Sequence, residues 1–175
     1  MKSLAKSFVY AWQGLLYCLR HERNMRIHLV IVLYMYAYLL GFDFFELNKI
    51  EFSIIFIANA IVFMGELINT AIESTIDLVE KKFRKMAKIA KDTAAAAVLV
   101  GAFFSVAIGA ALLWQPDAFK KLYDYYRGNP LMVFFLVLSL AVSFVYVMAG
   151  PLTIRAFITG KPKRADDDTQ KGASK

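Results

Sequence analysis

Three acids and an amide share one stripe of a long apolar segment. Glu66, Asn69, Glu73 and Asp77 stand at i, i+3, i+7 and i+11, at the end of the run that begins at Phe52. A continuous helix sets all four on one face. Ionised carboxylates at membrane depth cost at least roughly 3 kcal/mol each unless paired, hydrated or metal-bound. A polar packing seam, or a helix end emerging into water, accounts for Asp77 and Glu73 but poorly for Glu66 and the shared stripe. Carboxylates and amide oxygens are hard ligands suited to Mg2+, which keeps waters and takes one or two carboxylates together with substrate phosphate oxygens. A spare carboxylate can accept a hydroxyl proton, and a neighbouring Lys can face transferring phosphate charge. That set fits phosphoryl transfer to a lipid alcohol.

The elements that must hold these groups are membrane helices. Of the 175 residues, 59% are hydrophobic, too many for an ordinary soluble domain of this length. The mean hydropathy of +0.50 agrees. Met1 to about Arg20 carries Leu4, Phe8, Leu15 and Leu19 near one face, and reads as an amphipathic helix lying on the membrane surface. Charged residues from Arg20 to Arg26, rather than a small-residue cleavage site, follow it, so it is not read as a signal peptide. Membrane spans are expected at Ile27–Phe42, Phe52–Ile76, Thr93–Trp114 and Leu131–Met148, the last stopped by Gly150-Pro151. Thr93 and the alanines after it let a neighbouring backbone approach closely. The fold class expected is an all-α integral membrane protein: a surface helix and a three-helix core over 1–115, a loop and an additional C-terminal transmembrane helix over 116–160, and a disordered tail over 161–175.

Charge orients the spans. Arg20, Arg23 and Arg26 precede the first; Lys81, Lys82, Arg84, Lys85, Lys88 and Lys91 lie between the second and third; Arg155, Lys161, Lys163 and Arg164 follow the fourth. The Asp43–Glu51 loop is mostly acidic and Asp117–Asn129 is mixed. The positive-inside rule puts both termini and the middle loop in the cytoplasm. Glu22 with Arg26, the stripe Glu66–Asp77, and Lys91-Asp92 then meet at one lipid–water boundary. The net charge of +7 suits anionic headgroups or a phosphorylated substrate, not nucleic acid, because the basic residues flank apolar spans.

Absent motifs narrow the chemistry. The chain has no G-x-x-x-x-G-K-[ST] loop, no H-R-D and no D-F-G, so ATP phosphates are not held by a soluble-kinase apparatus. One cysteine, Cys18, excludes a disulfide framework and a thiolate cluster. His21 and His28 lie seven residues apart and are read as interfacial packing residues.

Four blocks in order carry a resemblance. They are Phe8-Val-Tyr-Ala-Trp-Gln-Gly-Leu15, Glu22-Arg-Asn-Met-Arg-Ile-His28, Glu66-Leu-Ile-Asn-Thr-Ala-Ile-Glu73 with Asp77, and Ala90-Lys-Asp-Thr-Ala-Ala-Ala96. They closely resemble the prokaryotic diacylglycerol kinase family, which includes undecaprenol kinases. The E-R-N-x-x-x-H form looks more like the undecaprenol kinase branch. The resemblance implies a homotrimeric kinase of the bacterial plasma membrane with Mg-ATP sites shared between subunits on the cytoplasmic face. By motif position, Glu66 is then the general base on the lipid hydroxyl, and Glu22 and Glu73 hold the metal. Asn69 then positions phosphate or a carboxylate, and Lys91 and Asp92 complete the nucleotide site, with Asn69, Asp77 and Arg26 also counted among the residues that bind nucleotide or substrate.

The pattern ends near Trp114, and the remaining segment adds a helix with no phosphatase signature such as P-S-G-H. A chain ending near Pro116 keeps every residue named above and is expected to assemble and turn over. The competing class is a non-enzymatic oligomer, ion-conducting or scaffolding, whose acids line a pore or a helix seam.

Overall fold

The computed structural model describes residues 2–79 and 84–160. Lys81, Lys82 and the tail expected to be disordered lie outside the described residues. Six helices fill the described chain: α1 (Lys2–His21), α2 (Arg23–Gly41), α3 (Lys49–Val79), α4 (Lys85–Leu113), α5 (Pro116–Gly128) and α6 (Pro130–Thr159). Four of them, α2, α3, α4 and α6, are long and apolar enough to cross a membrane.

Local chemistry explains the breaks. Glu22 alone separates α1 from α2, with extended backbone (φ −95°, ψ 120°), and stands at the positive end of the α2 dipole. Asn48 and Glu51 form a reciprocal cap at the start of α3. Asn48 Oδ1 accepts from the Ile50 and Glu51 amides at 2.8 and 3.0 Å, and Glu51 Oε2 accepts from the Asn48 amide at 2.8 Å. So capped, α3 runs unbroken for 31 residues. That is about 46 Å, longer than a hydrocarbon core of about 30 Å. Glu66 stands about 25 Å along it from Lys49, near the far boundary, and the rest of the stripe extends beyond.

The spans form a row, α4–α3–α2–α6. Gly65 meets Val98 and Gly101 meets Ile61, so α3 and α4 are antiparallel and closely packed. Ile55, Ala58 and Val62 of α3 are buried, as are Ala94 and Val98 of α4. Tyr36 of α2 packs on Phe52 and Phe56 of α3 and accepts from Asn59 Nδ2 at 3.2 Å. On its other side, α2 offers Tyr34, whose hydroxyl donates to Ser139 Oγ of α6 at 2.8 Å and lies 3.3 Å from Ser143 Oγ. The C-terminal end of α1 crosses the end of this row and touches α2, α3 and α6. Most of the preceding turns are exposed, including Leu4, Phe8 and Trp12, as a helix resting on a membrane surface would be.

Two expectations are corrected. The segment Asp117–Asn129 is no loop: Pro116 at the first turn opens a short helix, α5. Its aromatic face is what folds it. Tyr125 packs edge-on against Phe42 and Phe44, Phe119 against Phe45 and Trp114, and the Tyr126 and Tyr38 hydroxyls meet at 2.6 Å. Gly150-Pro151 also does not end the fourth span. Gly150 adopts φ 71°, ψ 158°, the helix kinks, and it resumes to Thr159. A proline is well tolerated as the first residue of a new helical segment, where its missing N–H would have no partner.

Candidate functional site

Glu66 is buried, 2% exposed. Its Oε1 lies 3.4 Å from His28 Nε2, near enough for charge pairing but without hydrogen-bond alignment, so this buried oxygen has no hydrogen-bond partner among the described residues. Four residues on, the Thr70 hydroxyl donates to the Glu66 carbonyl at 2.9 Å. Cys18 of α1 closes the same corner, 5% exposed. Burial pushes its thiol up from the ordinary range; the Thr70 hydroxyl opposes that shift, and the nearby Glu22 and Glu66 carboxylates add to it. Glu22 comes from the α1–α2 break and Glu66 from α3.

The stripe continues one turn further. Asn69 Nδ2 donates to Glu73 Oε1 at 3.1 Å, while Asn69 Oδ1 is buried without a hydrogen-bond partner among the described residues. Beyond it, Asp77 Oδ1 accepts from Lys91 Nζ of α4 at 2.5 Å, and Asp92 Oδ2 accepts from Lys88 Nζ at 2.7 Å. Lys91 and Asp92 thus face different partners. The sequence reading brings Glu66, Asn69, Glu73, Asp77 and Lys91 onto the α3–α4 end, and the structure places all five there.

Arg26 stands apart from that array. It is 6% exposed, and its guanidinium donates to the backbone carbonyls of Val147, Arg20 and Leu19 at 3.2, 3.2 and 3.5 Å. No phosphate is needed to explain its burial. His28 is the residue the sequence reading undervalued. It closes the Glu22–His28 block and lies where α2 meets Glu66, a placement visible only once α2 packs on α3.

Among the described residues, no three His, Cys, Asp or Glu side chains converge to hold an ion by themselves. The donor set still fits Mg2+, which takes one or two carboxylates and keeps the remainder for water and phosphate oxygens. The unpartnered Asn69 Oδ1 beside Glu73 is an acceptor of that hard-oxygen kind.

The profile described as prokaryotic diacylglycerol kinase matches residues 9–113. The chain belongs to the prokaryotic diacylglycerol kinase family. It is 38% identical over 115 residues to a diacylglycerol kinase of Synechocystis sp., covering 65% of this chain and 64% of that relative. It is 44% identical over 104 residues to an undecaprenol kinase of Bacillus subtilis, covering 59% of this chain and 82% of that relative. The chain thus spans just under two thirds of the Synechocystis protein's length. No solved structure matches it. The family match stops at Leu113, the last residue of α4. The helices α5 and α6 lie outside the matched region.

Proposed function

We propose that this chain is an ATP-dependent lipid kinase, transferring the γ-phosphoryl group to the hydroxyl of diacylglycerol or undecaprenol at the cytoplasmic face of the bacterial plasma membrane. The observation that carries this reading is Glu66: a buried carboxylate with an unpartnered oxygen, at the membrane boundary, beside His28. A carboxylate so held is available to take a proton from an alcohol brought up along the bilayer.

Glu66 accepts the hydroxyl proton as the lipid oxygen attacks the γ-phosphorus. The bond to the β–γ bridging oxygen breaks and ADP leaves with that electron pair. His28 holds the Glu66 carboxylate in place from α2. Glu73 and Glu22 would hold Mg2+, which when bound offsets phosphate charge. Asn69 positions Glu73 through its amide. Lys91, steadied by Asp77, faces the phosphates, and Asp92 lies beside it on α4. Binding of substrate phosphates by Arg26 has no support in the geometry, since its guanidinium is buried against backbone carbonyls.

We assign the active assembly as a homotrimer with sites completed between neighbours. The exposed apolar residues of α4, among them Leu99, Phe103 and Val106, support a helix face covered by lipid or by another subunit. The test of function is transfer of labelled γ-phosphate by purified protein with Mg-ATP to each alcohol in turn. Label in either lipid supports the reading. Label in neither, across lipid conditions, favours the non-enzymatic oligomer.

A further inference from the structure

The added helix α6 meets the matched region at one buried guanidinium. Pro151 has no N–H, so the carbonyl four residues earlier, that of Val147, loses its helical donor. Arg26 Nε donates to that carbonyl at 3.2 Å. The same guanidinium donates to the Arg20 and Leu19 carbonyls, which the end of α1 leaves without helical partners. Both helix ends present partial negative charge, which favours a cation there. Gly150 makes the room. Its φ of 71° is one that side-chain-bearing residues rarely adopt, and a Cβ built on it would stand 3.3 Å from Arg26 Cζ. Arg26 thus joins α1, α2 and α6 at the corner where Glu22 separates α1 from α2.

We propose that the Gly150-Pro151 break in α6 is a socket for Arg26, and that α6 thereby fixes the α1–α2 corner that presents Glu22. Arg26 is a positioning residue, not a phosphate ligand. The second clause rests on the kinase reading, in which Glu22 serves the metal; the first does not. A chain ending near Pro116 keeps Glu22 but loses the Val147 carbonyl that anchors its corner, so it is expected to assemble and turn over with a raised Mg2+ requirement.

Cys18 gives a readout independent of catalysis, since it is the sole cysteine and is buried beside Thr70 at the end of α1. Maleimide labelling of native, full-length protein in bilayers reports opening of the corner. Loss of a charged hydrogen bond raises such an open population about tenfold or more. Gly150→Ala and Arg26→Gln are expected to speed labelling by about that factor, with Arg26→Lys between them and the native chain. In kinase assays, the same variants are expected to raise the Mg2+ concentration for half-maximal rate severalfold, with kcat at saturating Mg2+ changed less than about twofold. Labelling at the native rate in Gly150→Ala and Arg26→Gln, with both inserted, overturns the socket. Faster labelling with an unchanged Mg2+ requirement overturns the link to Glu22. A native chain without kinase activity defeats the kinase reading, while the labelling still decides the socket.

Discussion

His28 Nε2 and Glu66 Oε1 stand 3.4 Å apart across the α2–α3 contact, with the carboxylate buried and the imidazole partly exposed. A buried acid with one nearby group of possible positive charge, and no hydrogen bond to that oxygen, is poised rather than satisfied. Neither residue is placed by its own helix alone: α2 must dock on α3 to create the pair.

Replacing His28 by Asn removes that partner and leaves Glu66 misaligned. Turnover is expected to fall about 10- to 100-fold, the scale of losing one charged contact, with nucleotide affinity unchanged. Steady-state kinetics with lipid and ATP varied separately checks this. A loss confined to the KM for ATP contradicts it.

The Asp77–Lys91 bridge joins α3 to α4 with Asp77 largely exposed. A pair so exposed contributes about 0–1 kcal/mol to stability. Asp77→Asn is therefore expected to leave the unfolding midpoint nearly unmoved and to raise the KM for ATP severalfold, because Lys91 loses its alignment. Nucleotide titration beside a denaturation curve separates the two effects.

Tyr34 ties α6 to α2 through Ser139 and Ser143, well away from the Glu66 end. Interhelical hydrogen bonds in membranes average about 0.6 kcal/mol. Tyr34→Phe is expected to lower stability by about that amount with kcat and the Mg2+ requirement unchanged. Reversible unfolding in mixed micelles measures the first and initial rates the second.

Glu22 and Glu66 come from different elements, and no single chain assembles a three-residue metal group among its described residues. Coexpressed Glu22→Gln and Glu66→Gln chains, each inactive alone, are expected to recover part of the native rate by forming mixed sites. Demonstrated mixed oligomers without activity contradict shared sites.

Much of this was legible in the residues. A 3.6-residue period put Glu66, Asn69, Glu73 and Asp77 on one face, and basic flanks marked which ends of the spans meet. Local pattern also placed all four spans. What it missed depends on contacts between distant segments. Asp117–Asn129 reads as a loop because its charges hide an aromatic face, and that face is recognised only against Phe42, Phe44 and Phe45. Gly150-Pro151 reads as a stop because nothing local shows that Arg26, more than 120 positions earlier, takes up the freed carbonyl of Val147. Arg26 resembles a phosphate ligand by charge and position, and only its burial assigns it to backbone carbonyls. His28 needed the same packing information.

The central claim is that Glu66 takes the lipid proton, and single-turnover transfer by Glu66→Gln measures it most directly. Enzyme in excess, preloaded with Mg-ATP, is mixed with lipid alcohol, and nucleotide binding is measured on the same preparation. The expected result is a chemical step slowed about 10²- to 10⁴-fold with nucleotide affinity and folding intact. A transfer rate near that of the native chain would contradict the assignment of Glu66 as the base.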